Sequence, residues 1–291
     1  MMRAGFTGNF RRLRACSRAR FRLWSSILKN PVHLVYYFCG IRLRQFMSKT
    51  QTVLCLGDSI TRGVYSFDWV SALQQRLSGW RFVNAGRDGE LAYNARLRLD
   101  EELNCNPDII VITLGTNDVN AVTSDFNTRR YIKKARLPKT PSLAWYEKNL
   151  RAIVACARER APARLALMSP PVLGEDLDNS ANRVLPDYCA ALQEIAREND
   201  AAYLPLHEKM REFLAATPPR VVPPPLEQGI GRARRAALRH YLLRQSWDKI
   251  SRAYGLRLTT DNIHLNSAGG MMAADLVEVF IHAPADSYTK G

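Results

Sequence analysis

The sequence is short of long hydrophobic runs. Its leading segment holds only one modest apolar patch, from Val32 to Ile41, of about ten residues, where a membrane-spanning helix needs about twenty. Residues 1–50 contain no Asp or Glu at all, against eleven Lys and Arg. The basic stretch is too long for the charged start of a secretory signal, and no small-residue cleavage site follows it. Cysteine is sparse. Cys16, Cys39, Cys55, Cys105, Cys156 and Cys189 have neither metal-ligand spacing nor the density of a disulfide framework. They read as reduced thiols packed as small hydrophobes, which suits a reducing compartment, and the expected location is the cytoplasm. No cluster of His, Cys and acidic residues suggests a metal, and no cofactor is expected. No internal repeat is present.

The chain has 291 residues, ordinary apolar and charged content, and a net charge of +15. That charge is local. Outside residues 1–50 the chain has 31 basic against 27 acidic side chains, a balance of +4. The excess therefore belongs to an Arg-rich leader over residues 1–50. The leader reads as a transit peptide, as a segment that touches anionic membrane weakly, or as an extension ahead of a start at Met47. The first two readings place the protein in an organelle or at a membrane periphery.

From residue 51 onward, strands alternate with helices. Thr52 to Leu56 is an apolar run with β-branched residues that breaks at Gly57, and Ile109 to Leu114 is a continuous apolar run of the kind buried at the centre of a parallel sheet. Strands are also expected at 81–84, 164–168 and 202–206. Helices are expected from Phe67 to Leu77 and over 91–103, 143–160, 181–198 and 268–281. Such alternation implies βαβ units and an α/β fold with a parallel sheet covered on both faces. Residues 119–142 read as a loop carrying Arg129, Arg130, Lys133, Lys134, Arg136 and Lys139. Residues 216–230 read as a proline-rich loop, and 232–254 as a single helix with Ala236, His240, Leu243, Trp247, Ile250 and Tyr254 on one stripe. This helix is either docked on the core or a lid whose Trp247 forms a wall of an acyl pocket.

A parallel sheet binds its ligands at the carboxyl ends of its strands. Ser59, in Gly57-Asp58-Ser59-Ile60, stands there as a candidate nucleophile. A serine nucleophile needs a base, and the base needs an orienting carboxylate. Of the five histidines, His264 alone has a carboxylate three residues earlier in a polar turn, Asp261. The Gly-x-Ser-x-Gly elbow is absent around Ser59, which argues against an α/β-hydrolase fold.

Four stretches occur in order: Gly57-Asp58-Ser59-Ile60, Val83-Asn84-Ala85-Gly86-Arg87-Asp88-Gly89, Gly115-Thr116-Asn117-Asp118 and Asp261-Asn262-Ile263-His264. Together they resemble the signature blocks of the SGNH, or GDSL, hydrolases, a family of esterases and lipases. The resemblance spans roughly residues 51–283. It implies a flavodoxin-like three-layer α/β/α sandwich with a five-stranded parallel sheet over 51–291, and a helical insert near 216–255. It also implies a metal-independent serine esterase working through an acyl-enzyme on Ser59, with Asp261 and His264 completing the triad. The oxyanion hole implied by that mechanism is the Ser59 N–H, the Gly86 N–H and the Asn117 amide. Asp58 and Asp118 read as structural carboxylates that bond nearby backbone amides.

The expected partner is a small-molecule or lipid ester. An acyltransferase would use the same acyl-enzyme with an alcohol in place of water. A rival from another class is an inert basic binding protein, motivated by the arginines of 11–22 and 232–239, although no nucleic-acid partner is expected.

Overall fold

In the computed structural model, residues 50–217, 224–226 and 229–284 are described. Five short runs form the strands β1 (Gln51–Gly57), β2 (Trp80–Gly86), β3 (Ile109–Thr113), β4 (Arg164–Met168) and β5 (Ala202–Leu204), with β-branched residues concentrated in β1 and β3. All pairings are parallel, in the order β2-β1-β3-β4-β5. The chain therefore reverses its direction of travel across the sheet between β1 and β3, which opens a crevice at their carboxyl ends.

Side chains alternate between the two faces of the sheet, and the core divides accordingly. Leu54, Leu56, Ile110, Ile112, Leu165 and Leu167 bury one face under the helices α3 (Ala92–Leu103), α6 (Leu143–Arg160) and α7 (Ser180–Glu198). Val53, Cys55, Val111, Ala166 and Met168 bury the other under α2 (Trp69–Arg76), α8 (Leu206–Ala216) and α11 (Ser267–His282). This is the three-layer α/β/α sandwich. The helices start where their caps dictate: Asp68, Ser142, Asn179 and Asn266 each accept a backbone N–H of the first turn. Cys55 and Cys189 are buried and Cys105 and Cys156 partly exposed, all four as free thiols.

Two expectations need correction. Residues 119–134 are not a loop, while 135–142 are. The first part folds into the end of α4 (Thr116–Val122) and all of α5 (Asp125–Lys134), with Ser124 capping α5, and Tyr131 and Leu137 pack against Leu91 and Trp145. Residues 232–254 are not one helix. The chain forms α9 (Gly229–Tyr241), turns through Arg244 at φ +50°, and restarts as α10 (Trp247–Ala253) under a Ser246 cap. The turn folds the stripe back on itself, so Ala236, Trp247 and Ile250 form a small core of their own while Leu243 points to solvent. The Arg-rich leader lies outside the described residues. Among those residues, no helix is long and apolar enough to cross a membrane.

Candidate active site

Ser59 opens a four-residue helix, α1 (Ser59–Arg62), directly after β1. Asp58 caps it by accepting the Ile60 N–H at 2.9 Å, and Gly63 ends it at φ +79°. This tight turn sets Ser59 at the crevice between β1 and β3. His264 arrives from the loop ahead of α11, 205 residues later, and its Nε2 stands 3.0 Å from Ser59 Oγ. Its Nδ1 lies 2.7 Å from Asp261 Oδ2. The other carboxylate oxygen, Oδ1, accepts the backbone N–H groups of Ile263 and His264 at 3.0 and 2.8 Å. Asp261 is thus held by its own turn, with one oxygen left for the imidazole. Burial works against the His264 imidazolium. The charge of Asp261 and its hydrogen bond, reinforced by Asp58 and Asp88, outweigh that, and the pKa stands above the ordinary histidine value.

The loop that carries this pair is anchored by a residue that the sequence does not single out. The Glu175 side chain, fully buried, accepts the N–H groups of Arg257, Leu258 and Thr259 at 2.8–2.9 Å and the Thr259 hydroxyl at 3.1 Å. The sequence carries no signal for it, because the donors lie over eighty residues away.

Asn117 sits in the first turn of α4, after β3. Its amide donates to Asp58 Oδ2 at 3.1 Å and to the Glu90 carbonyl at 3.0 Å, and its Oδ1 accepts the Tyr131 hydroxyl at 2.8 Å. Burial pushes the Tyr131 hydroxyl up to about 12, so it remains a donor. Burial also pushes Asp58 up to about 6, against the opposing pull of the Ile60 N–H and of His264. Asp118 accepts the Ala92 N–H and is pushed up to about 7, again chiefly by burial. Arg98, buried behind the site, bonds Glu90 at 2.7 Å and Glu102 at 2.8 Å and donates to the Ala85 carbonyl at 2.8 Å. It fastens the carboxyl end of β2 to the segment that holds Asn117.

Gly86 is placed differently from the expectation. Its N–H donates to Asn84 Oδ1 at 3.0 Å, and it does not line the pocket. A side chain is excluded there because a Cβ would stand 2.2 Å from the Arg62 nitrogen, so this glycine lets β2 and α1 touch. Gly89, three residues on, does line the pocket, at φ +74°. Among the described residues its N–H has no hydrogen-bond partner. The pocket has a volume of about 570 Å³. Ser59, Asn117 and His264 form its floor with Gly89, and Tyr65, whose ring lies 5.6 Å from that of His264, stands at one side. Trp247 is not part of it. That ring stacks on His240 at 3.9 Å and packs into the small core, and α9 meets the pocket through Ala233 and Arg234 instead. Among the described residues no group of His, Cys and acidic side chains is arranged to hold a metal ion.

Residues 55–270, more than half of the chain, match the family described as GDSL-like lipase/acylhydrolase. The chain belongs to that family. A GDSL-like acylhydrolase is an ester hydrolase, and the Ser59–His264–Asp261 arrangement accords with it. The fold has counterparts among solved structures. A catalytic mutant of an acetylxylan esterase from Geobacillus stearothermophilus superposes with a TM-score of 0.54 at 19% identity, covering 83% of this chain and 97% of its own. The unmutated enzyme gives 0.53 at 20%, covering 81% and 95%. A second acetyl xylan esterase, AlAXEase, gives 0.53 at 20%, covering 79% and 99%. No curated protein sequence matches this acylhydrolase significantly.

Proposed function

We propose that the protein hydrolyses carboxylic esters through a covalent acyl-enzyme on Ser59. The observation that carries this reading is the 3.0 Å approach of His264 Nε2 to Ser59 Oγ, with Asp261 2.7 Å from Nδ1. As Ser59 Oγ bonds to the ester carbonyl carbon, its proton passes to Nε2, and Asp261 stabilises the imidazolium that results. The imidazolium then gives the proton to the leaving alcohol. Water attacks the acyl-enzyme by the same route in reverse, releasing the acid and restoring Ser59.

The carbonyl oxygen takes on negative charge in each step. The donors for it are the N–H of Ser59 at the start of α1, the unpartnered N–H of Gly89, and the Asn117 amide, all at the pocket floor. Gly89 replaces Gly86 in this set, because the Gly86 N–H is taken by Asn84. Asn117 reaches the oxyanion by turning one N–H away from Asp58. The similar structures include enzymes that remove acetyl groups from xylan, and the acyl group read for this chain is likewise a small one such as acetyl.

Turnover of 4-nitrophenyl acetate by the protein and by Ser59→Ala tests the reading. Loss of the nucleophile removes roughly 10⁶-fold in turnover in a serine protease, and a fall of that order is expected here. Activity retained by Ser59→Ala overturns the acyl-enzyme.

A further inference from the structure

Above Ser59 the pocket is walled by cations. Arg130 and Lys134 enter from α5, and Arg234 enters from α9. Among the described residues none of the three has a carboxylate partner. The Arg130 Nε is buried without any hydrogen-bond partner. Lys134 lies against Gly89 at the pocket: a Cβ at Gly89 would stand 2.9 Å from its Nζ. The carboxylate on the same wall, Asp88, is held by Arg62 through one oxygen, and its other oxygen is buried without a hydrogen-bond partner. The Asp261 and Asp58 carboxylates lie fully buried beneath the pocket, engaged with His264 and Asn117. Three cations stand against one carboxylate at this pocket, with Lys134 and Arg234 exposed at its mouth and Arg130 half-buried, and that excess favours an anionic ester over a neutral one.

We propose that the substrate is an ester bearing a phosphate or carboxylate group, which Arg130, Lys134 and Arg234 bind while Ser59 attacks the ester carbonyl. This rests on the esterase reading above and narrows it to anionic esters. Both groups present the oxygen acceptors that guanidinium and ammonium donors recognise. The cations come from separate parts of the chain, α5 and the insert helix α9, and Arg130 also lies over the Tyr131 ring, 4.7 Å from its centroid. The leaving product is then an anionic alcohol or the acid an anionic acyl fragment.

The test compares ester pairs matched except for charge. On the alcohol side, the acetyl ester of glycerol 3-phosphate is set against glycerol monoacetate. On the acyl side, the mono-4-nitrophenyl ester of glutaric acid is set against 4-nitrophenyl butyrate. The expected result is a kcat/KM preference for the charged member of at least one pair. That preference should shrink about ten- to a hundred-fold in Lys134→Gln and Arg234→Gln, through KM, as expected for loss of a charge-assisted hydrogen bond. It should shrink also as salt is raised. Which pair responds tells phosphate on the alcohol from carboxylate on the acyl group. Equal kcat/KM within both pairs, unmoved by either variant, overturns the proposal while leaving esterase activity in place.

Fluorophosphonate labelling separates the two claims. Labelling of Ser59 that glycerol 3-phosphate or glutarate slows, and glycerol does not, supports the anion site. Labelling without such protection counts against it. Failure to label Ser59 counts against the esterase reading, and calorimetric titration of glycerol 3-phosphate and of glutarate into the full chain and into Lys134→Gln then decides the anion site by itself. Binding weakened in the variant supports it, and no binding of either overturns it.

Discussion

The Glu175 carboxylate accepts both the N–H and the hydroxyl of Thr259, at 2.9 and 3.1 Å, two residues ahead of Asp261. Two parts of the chain meet in that relationship: a residue after β4, and the loop before α11 that carries Asp261 and His264. The carboxylate is buried, so the N–H groups it serves have no water to turn to. Glu175→Ala is expected to destabilise the protein by about 3 kcal/mol, the cost of leaving several buried donors unpaired, and to lower kcat with little change in KM. Urea titration and steady-state kinetics measure both. Unchanged stability would show that the loop holds itself.

Asp261 raises the pKa of His264, and the base must be neutral to accept the Ser59 proton. Activity is therefore expected to rise with pH along a limb whose midpoint lies above the ordinary histidine value. In Asp261→Asn the midpoint should move toward acid, while kcat falls about 10⁴-fold, as in an analogous triad. The linkage to stability has the matching sign. A raised folded pKa contributes stability at low pH that is lost as pH rises through it, so the native His264–Asp261 pair should lose its contribution on the alkaline side. A midpoint that does not move in Asp261→Asn would contradict the pairing.

Asn117→Ala is expected to lower kcat by roughly 10²–10³ with a smaller effect on KM, the usual loss for one oxyanion donor. The two glycines of the second motif should then behave differently. Gly86→Ala forces a Cβ to 2.2 Å from the Arg62 nitrogen and should lower the melting temperature. Gly89→Ala meets only the end of a flexible lysine, at a φ of +74° that alanine disfavours, and should cost kcat more than stability. Kinetics and thermal melts on the pair check this, and the reverse pattern would return the donor role to Gly86.

Much of this site is legible in the amino-acid sequence alone. The run Thr52–Leu56 breaking at Gly57 places Ser59 at a strand end, and the Asp261–His264 spacing singles out one histidine of five. β1 and β3 follow from apolar runs with β-branched residues, and the other three strands from their place in the strand–helix alternation. What is not legible depends on contacts distant in sequence. Gly86 and Gly89 look alike in a motif, and only the Asn84 side chain decides which N–H is free. The stripe from Ala236 to Tyr254 keeps helical spacing through a turn, because spacing does not register the φ of +50° at Arg244 or the cap at Ser246. Residues 119–142 resemble a loop because Lys and Arg crowd them. Apolar members such as Tyr131 and Leu137 find their partners outside the segment, in Leu91 and Trp145.

Trp247 belongs to a packing core with Ala236 and Ile250, so its loss should act on the fold. Trp247→Ala is expected to cost about 3–5 kcal/mol of stability, as for large-to-small core changes. Any fall in kcat/KM should be equal for acetate and longer acyl esters. A selective loss on long chains, with an unchanged melting temperature, would place the indole against substrate after all.

The proposed ester hydrolysis depends on Ser59 forming the covalent bond to the acyl group. Peptide mass spectrometry after reaction with a fluorophosphonate reads that bond at the residue itself. A single adduct is expected on the peptide containing Ser59, absent in Ser59→Ala and formed far more slowly in His264→Ala. An adduct on another residue, or equal labelling of Ser59→Ala, would contradict it.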